Sequence, residues 1–323
     1  MTHHTQTHEL QIASTYAMVH DSMPLKGSEL DAYYRVMGVQ NTPLYAAEVN
    51  SSGSMHLKFD HMQPTGSSIY RGAAAMIELY EPGTAFVTTD TSNALVVARA
   101  AQQRGCKSDL VCVDSALNAS QRHRLWDNDM GIFIEPNEEA VGKRVNEIME
   151  DRRTLLSPAL DASMLGGYAM MSHEIASSLS RPSAGRSHFP IWPDQLIRVF
   201  LPLGAGRLGA GVACGFRQIK LEYPHFKVSV TGVSQAVAGV EELDTVIRPI
   251  LTSPDFVHHN VKVSNAELAH AAGVLTRIGP KTNWAGALSL AGAIQYRHEF
   301  PTSREEELAV VILPGQEFLS LQY

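Results

Sequence analysis

The stretch QPTGSSIYRGAAAMIEL, Gln63 to Leu79, decides how this chain folds. Pro64-Thr65-Gly66-Ser67 is a turn, because Pro presets one backbone angle and Gly admits a positive φ. The Ala-rich run from about Ser68 to Tyr80 reads as a helix, stopped by Glu81-Pro82-Gly83. A turn that feeds directly into a helix leaves backbone N–H groups unpaired, the setting in which proteins receive anions. Ser67 and Ser68 are placed to cap that helix through their hydroxyls or to bind a carboxylate together with its N-terminus. Ala73, Ala74, Ala75 and Met76 read as packing against a sheet, and Arg71 as one partner of a structural ion pair.

Downstream of this helix the chain alternates. AFVTTD, DLVCVD and GIFIEP read as strands, and NALVVARAAQQRG, NASQRHRLWDND and NEEAVGKRVNEIMEDRR as helices. Strand and helix in turn imply crossover connections and a parallel sheet, here a small lobe spanning 84–160. A second set follows: GGYAMMSHEIASSL (helix), QLIRVFLPLG (strand), RLGAGVACGFRQIKLEY (helix), FKVSVTGVS (strand), NAELAHAAGVLTRIG and TNWAGALSLAGAIQYRH (helices), and EELAVVILPG (strand). Upstream, TPLYAAEVNSSGSMHLKFDHM carries two short strands around a turn, and ELQIASTYAMVHDSM and SELDAYYRVMGV read as helices folded onto the second lobe. The expectation is an α/β protein of two parallel-sheet lobes, with 1–83 and 161–323 forming the large domain. Trp192 and Trp284 are expected in the core or between the lobes.

Composition excludes several classes of function. With 323 residues, 44% of them hydrophobic and 18% charged, the chain can bury a substantial core. A net charge of −7 without basic runs argues against nucleic acid and anionic membrane surfaces. No apolar run approaches the roughly 20 residues that span a bilayer, and the start MTHHTQTHEL has no secretory pattern, so a cytoplasmic location is expected. Cys106, Cys112 and Cys214 lack C-x-x-C spacing and read as reduced thiols. The 14 histidines include adjacent pairs, His3/His4 and His258/His259, but no metal-binding spacing, so no metal is expected.

In open parallel sheets, ligands sit beyond the carboxyl ends of strands. Four segments end that way: Pro64 to Ile69, Asp90 to Asn93, Gly204 to Leu208, and Pro314 to Glu317. The third, in LPLGAGRLGAGV, puts small residues at a strand-to-helix turn, which suits either anion binding or close packing.

Taken together, the segments resemble the fold-type II pyridoxal-phosphate (PLP) family, which includes threonine dehydratase, serine racemase and cysteine synthase and has the tryptophan-synthase-β-like architecture. The resemblance runs from about Thr42 to Gly315. Thr42-Pro43-Leu44 is similar to the family's opening TPL, Lys58-Phe59-Asp60 to its Lys-x-Glu strand, and Pro64 to Ala73 to its P-T-G-S-F-K-x-R-G-A. Asp90-Thr91-Ser92-Asn93 resembles its S-x-G-N loop, Gly204-Ala205-Gly206-Arg207-Leu208 its phosphate-cradling G-G-G-G-L, and LEYPHFKVSVTGV its Pro-x-x-x-Val-x-Gly-Val strand. The resemblance implies PLP contacts at Asn93, Gly204, Ala205, Gly206, Arg207, Leu208 and Pro314, and a homodimer.

The departures fall on the chemistry. The family's Schiff-base lysine corresponds to Ile69, which has no amine to attack an aldehyde or carry a proton. No lysine lies between Lys58 and Lys107, and Lys58 reads as structural. Leu313 or Pro314 stands where the family often has a hydroxyl beside the pyridine nitrogen, Arg207 replaces a glycine of the phosphate loop, and Ala94 replaces a histidine. The expected function is therefore that of a family homologue without Schiff-base chemistry, a pseudoenzyme binding an amino-acid-like or phosphorylated small molecule, with no PLP. Two further readings stay open. One is an enzyme repurposed for PLP-independent chemistry through Ser67, Ser68, Asn93 or Arg207; the other is an active PLP-dependent lyase or synthase that holds its cofactor non-covalently or through another lysine.

Overall fold

The computed structural model describes residues 34–35, 38–49, 52–150, 154–155, 164–180, 195–204, 206–224, 226–236, 257–280, 282–301 and 306–315. The expected N-terminal helices (apart from Tyr34 and Arg35, which are helical, and Gly38 and Val39, which are not), His3/His4, Trp192, Ala205 and the segment Gln316-Glu317 lie outside these residues.

The strands form two sheets. The larger contains β1 (Leu44–Glu48), β2 (Ser54–Lys58), β7 (Leu196–Pro202), β8 (Lys227–Gln235), β9 (Val257–Val263) and β10 (Glu307–Ile312), ordered β1-β2-β10-β7-β8-β9. Every pairing is parallel except β1 with β2, which the short connection between them makes antiparallel. The smaller sheet, all parallel, has β3 (Ala85–Thr88), β4 (Lys107–Val113), β5 (Met130–Glu135) and β6 (Thr154–Leu155) in the order β5-β4-β3-β6.

Eight α-helices connect or flank these strands among the described residues: α1 (Ile69–Glu78), α2 (Ala94–Arg104), α3 (Ala119–Trp126), α4 (Glu138–Glu150), α5 (Met164–Ser180), α6 (Arg207–Glu222), α7 (Asn265–Ile278) and α8 (Trp284–Glu299). Burial on both faces explains the near-continuous apolar runs of the central strands. Along β10, Leu308, Val310 and Ile312 enter the core formed with α5 and α6, whereas Ala309 and Val311, followed by Leu313, enter the core formed with α7 and α8. Trp284 packs against the latter. In the smaller sheet, Val87 and Val111 meet Val141, Val145 and Ile148 of α4, a set at helical spacing.

The helix of the opening stretch is buried from Tyr70 to Ile77. Its alanines do not pack mainly on a sheet, as expected from sequence, but between two helices, α2 of the smaller unit and α5 of the larger. Small residues let the backbones approach: a Cβ on Gly167 of α5 would stand 2.1 Å from the carbonyl oxygen of Arg71. The glycines of GAGVACG work the same way, since a Cβ on Gly215 of α6 would come 2.4 Å from the Ala169 carbonyl oxygen. Much of that Gly-rich stretch therefore serves helix packing.

Two strands have no counterpart in the sequence reading. Strand β9 is an edge strand whose His258-His259-Asn260 breaks the apolar pattern, and β6 contributes only two residues to its ladder.

Candidate functional site

The motif turn is fastened from two sides. Gly66, at φ 74°, makes the reversal and donates its N–H to the Gln63 carbonyl at 2.7 Å. The Ser67 hydroxyl accepts the Ile69 N–H at 3.2 Å, and the Ser68 N–H donates to the Pro314 carbonyl at 2.7 Å. Ser67 also bridges to Gly315, so the start of α1 is tied to the chain leaving β10. The residue after that strand that lines the site is Gly315; Leu313 is fully buried in the core and Pro314 offers its carbonyl to Ser68. A Cβ at Gly315 would fall 2.4 Å from the Asn283 amide nitrogen.

Between the two sheets lies a cavity of about 260 Å³. The larger unit contributes Thr65, Gly66, Ser67, Ile69, Asn283 and Gly315, and the smaller contributes Thr91, Ser92 and Asn93 with side chains of α2 and α3 and of Leu117. Ile69 stands on its wall, packed against the apolar cluster that includes Val96, Leu117 and Leu125. The cavity therefore brings Ser67, Ile69 and Asn93 together. Gly204, Gly206, Arg207 and Leu208 are not among its lining residues. They form the turn from β7 into α6, where Gly206 has φ 93° and donates to the Leu203 carbonyl, and where Arg207 is buried with its charge acting on Tyr168. Sequence reasoning missed Asn283, Gln121 and Arg124; no motif marks them, since each reaches the cavity only through packing of α8 or α3.

The loop after β3 is occupied by its own carboxylate. Asp90 Oδ1 accepts the N–H groups of Ser92 and Asn93, each at 3.1 Å, and Asp90 Oδ2 accepts from the Asn93 side-chain amide at 2.7 Å. An acidic side chain there also complements the N-terminus of α2. Asn93 is held in place by this loop.

Lys58, the lysine nearest in sequence to Ile69, is committed elsewhere. Fully buried, its ammonium donates to Glu174 of α5 and to the Thr42 carbonyl. Arg71, also fully buried, donates from Nε to Asp60 at 2.7 Å, from Nη1 to Glu174 Oε1 at 2.7 Å and from Nη2 to Glu174 Oε2 at 2.9 Å. Both structural assignments made from the sequence agree with these contacts. Burial by itself would raise the Glu174 pKa, but Arg71 and Lys58 together outweigh it and hold the carboxyl below its usual range. Two cations and two carboxylates thus balance in the interior.

Among the described residues, no three His, Cys, Asp or Glu side chains gather as metal ligands, and no helix is long and apolar enough to cross a membrane.

Known structures share this architecture. The processed form of threonine deaminase isoform 2 from Solanum lycopersicum matches with a TM-score of 0.68 at 18% identity, covering 92% of this chain and 86% of that one. Serine racemase from Dictyostelium discoideum gives 0.66 at 17% identity, covering 89% and 97%. Maize serine racemase gives 0.64 at 18% identity, covering 89% and 92%. No curated protein matches the chain in sequence. The model of the pyridoxal-phosphate dependent enzymes matches residues 36–315, nearly the whole of the described structure. With the two parallel sheets, the cleft between them and the motif helix in place, the chain belongs to the family of pyridoxal-phosphate dependent enzymes.

Proposed function

We propose that this member of the family binds a small organic molecule in the cleft between its two sheets and does so without a lysine-linked PLP. The observation that carries the reading is Ile69, a hydrocarbon side chain on the cavity wall at the motif position where an amine is required. Three arrangements support it. The lining contains no lysine among the described residues, Lys58 is sealed in an ion-paired cluster, and the turn into α6 holds a buried Arg207 in place of a glycine. These residues do not fit a covalently held cofactor, so no chemical step is assigned to it. Binding through the polar rim of Ser67, Asn93, Gln121 and Asn283 and the apolar wall of Ile69, Leu95, Val96, Leu117 and Leu125 is what the cavity can perform.

Borohydride reduction after incubation with PLP, followed by peptide mapping, tests this reading. The parent protein is expected to carry no stoichiometric reduced adduct on a single lysine, and one mapped at full occupancy to Lys281, two residues before Asn283, or to another single lysine would overturn it. The Ile69→Lys variant, which returns an amine to the cavity wall, shows whether an amine placed there reacts with the cofactor.

A further inference from the structure

Helix capping fixes which atoms the polar residues of the cavity can offer a ligand. Asn283 is the N-cap of α8, and its Oδ1 accepts the Gly286 N–H at 3.2 Å. Only an oxygen can receive that N–H, so the cap sets the amide with its Nδ2 donors turned away from the helix end. Nδ2 makes no hydrogen bond among the described residues. It stands 2.4 Å from the point where Gly315, which also lines the cavity, would carry a Cβ. Gly315 puts no atom of its own there, and a ligand atom slightly beyond that point lies in hydrogen-bond range of Nδ2.

Ser67 adds a second donor beside the first. It bridges to Gly315, whose carbonyl accepts the Asn283 N–H at 2.8 Å, so Ser67 and Asn283 flank one glycine. The Ser67 oxygen already accepts the Ile69 N–H at 3.2 Å, and its proton finds no acceptor among the described residues. Gln121, exposed at the rim, repeats the pattern on α3: its Oε1 accepts the Asn118 N–H at 2.8 Å in a capping box, which leaves Nε2 as the group it offers. Asn93 runs the other way, spending its Nδ2 on Asp90 and keeping Oδ1. Donors are therefore concentrated around Gly315, and the acceptor of Asn93 stands at the start of α2.

Resting on the binding reading above, we infer that the cavity takes a neutral carbonyl compound with a compact apolar body, its carbonyl oxygen received by Asn283 Nδ2 and the Ser67 hydroxyl beside Gly315. A carbonyl oxygen suits two donors because it has two lone pairs, and being uncharged it needs no counterion inside the cleft. The body lies against Ile69, Leu95, Val96, Leu117 and Leu125. A group that only donates, such as an ammonium, would face donors beside Gly315 and lose its water without return. The cap of α8 thus sets the polarity of the site as well as the end of the helix.

Titration of the full chain with three probes of similar shape, followed on the δ1-methyl NMR signal of Ile69, tests the inference. The probes are the ketone acetylcyclohexane, the hydrocarbon isopropenylcyclohexane, in which a methylene replaces the oxygen, and 1-cyclohexylethylamine, an ammonium at neutral pH. The parent is expected to bind the ketone about fivefold or more tighter than the hydrocarbon, the scale of one neutral hydrogen bond. Asn283→Asp keeps the cap, since Asp caps as well as Asn, but puts an acceptor where the donors stood. It should keep the parent's melting temperature, weaken the ketone by about tenfold and turn the preference toward the ammonium. Gln121→Glu, which likewise keeps its capping box, should weaken the ketone less, because Gln121 is exposed. Equal binding of hydrocarbon and ketone by the parent, a result that needs no variant, would overturn the carbonyl assignment. So would unchanged ketone affinity in Asn283→Asp, a larger effect from Gln121→Glu, or an Ile69 signal that the ketone does not move. The cofactor reading is judged separately by the borohydride adduct, so failure of one does not mimic failure of the other.

Discussion

Replacing Glu174 by Ala is expected to cost about 3–5 kcal/mol of stability, the range for removing one partner from a buried ion pair. The substitution would leave Arg71 and Lys58, both fully buried, facing Asp60 alone. The penalty is the desolvation of a cation that has lost its counterion, and against a typical total of about 5–15 kcal/mol it is large. Thermal and urea unfolding of parent and variant measure it; a loss under about 1 kcal/mol would mean the cluster does not hold the fold. The pH dependence has a definite sign. Because Glu174 titrates below its ordinary value of 4.5 in the folded state, the unfolded chain binds more protons in the window between the two values. Its contribution is complete well above 4.5 and is lost as pH falls through the folded value. The parent should lose stability faster than Glu174→Gln on acidification through that window, and parallel curves would count against the assignment.

Gly167→Val is expected to be the second severe change. Its Cβ would stand 2.1 Å from the Arg71 carbonyl oxygen and 2.9 Å from the Gly72 backbone nitrogen, where no flexible side chain can yield. Helices α1 and α5 would have to separate, at the upper end of the roughly 1–3 kcal/mol found for overpacking or beyond it. The shift would also move Ile69 and Ser67, so the cavity should lose ligand affinity together with stability. Gly142→Ala in α4 is the control: it is exposed, a Cβ there meets nothing within 4 Å, and Ala is favoured over Gly in a helix by about 0.5–1 kcal/mol. Opposite signs for the two glycines in thermal melts would confirm that contact, and not helix propensity alone, sets the first result; matching signs would refute it.

The elements that sequence reading located share a property. Strands β3, β4, β7, β8 and β10, and the helices between them, have apolar patterns strong enough to be read within their own span. Strand β9 lacked that pattern and owes its place to pairing with β8. At the site, Ser67, Ile69 and Asn93 sit in motifs whose spacing is local, so they could be named in advance. Arg124, Gln121 and Asn283 could not, because nothing near them in the chain distinguishes them from ordinary helix residues. Glu174 stands 116 residues from Lys58 and 103 from Arg71, and no pattern in either segment announces the pairing.

The order of most strands and helices, the family resemblance and the hydrocarbon at position 69 are properties of the covalent chain, legible because each is carried by short local motifs. Which cations face the cleft, which carboxylate occupies the loop before α2, and which glycine lets α1 lie against α5 were decided only when distant segments met. Electrostatic and contact energies fall off over a few ångströms of space and take no account of separation along the chain.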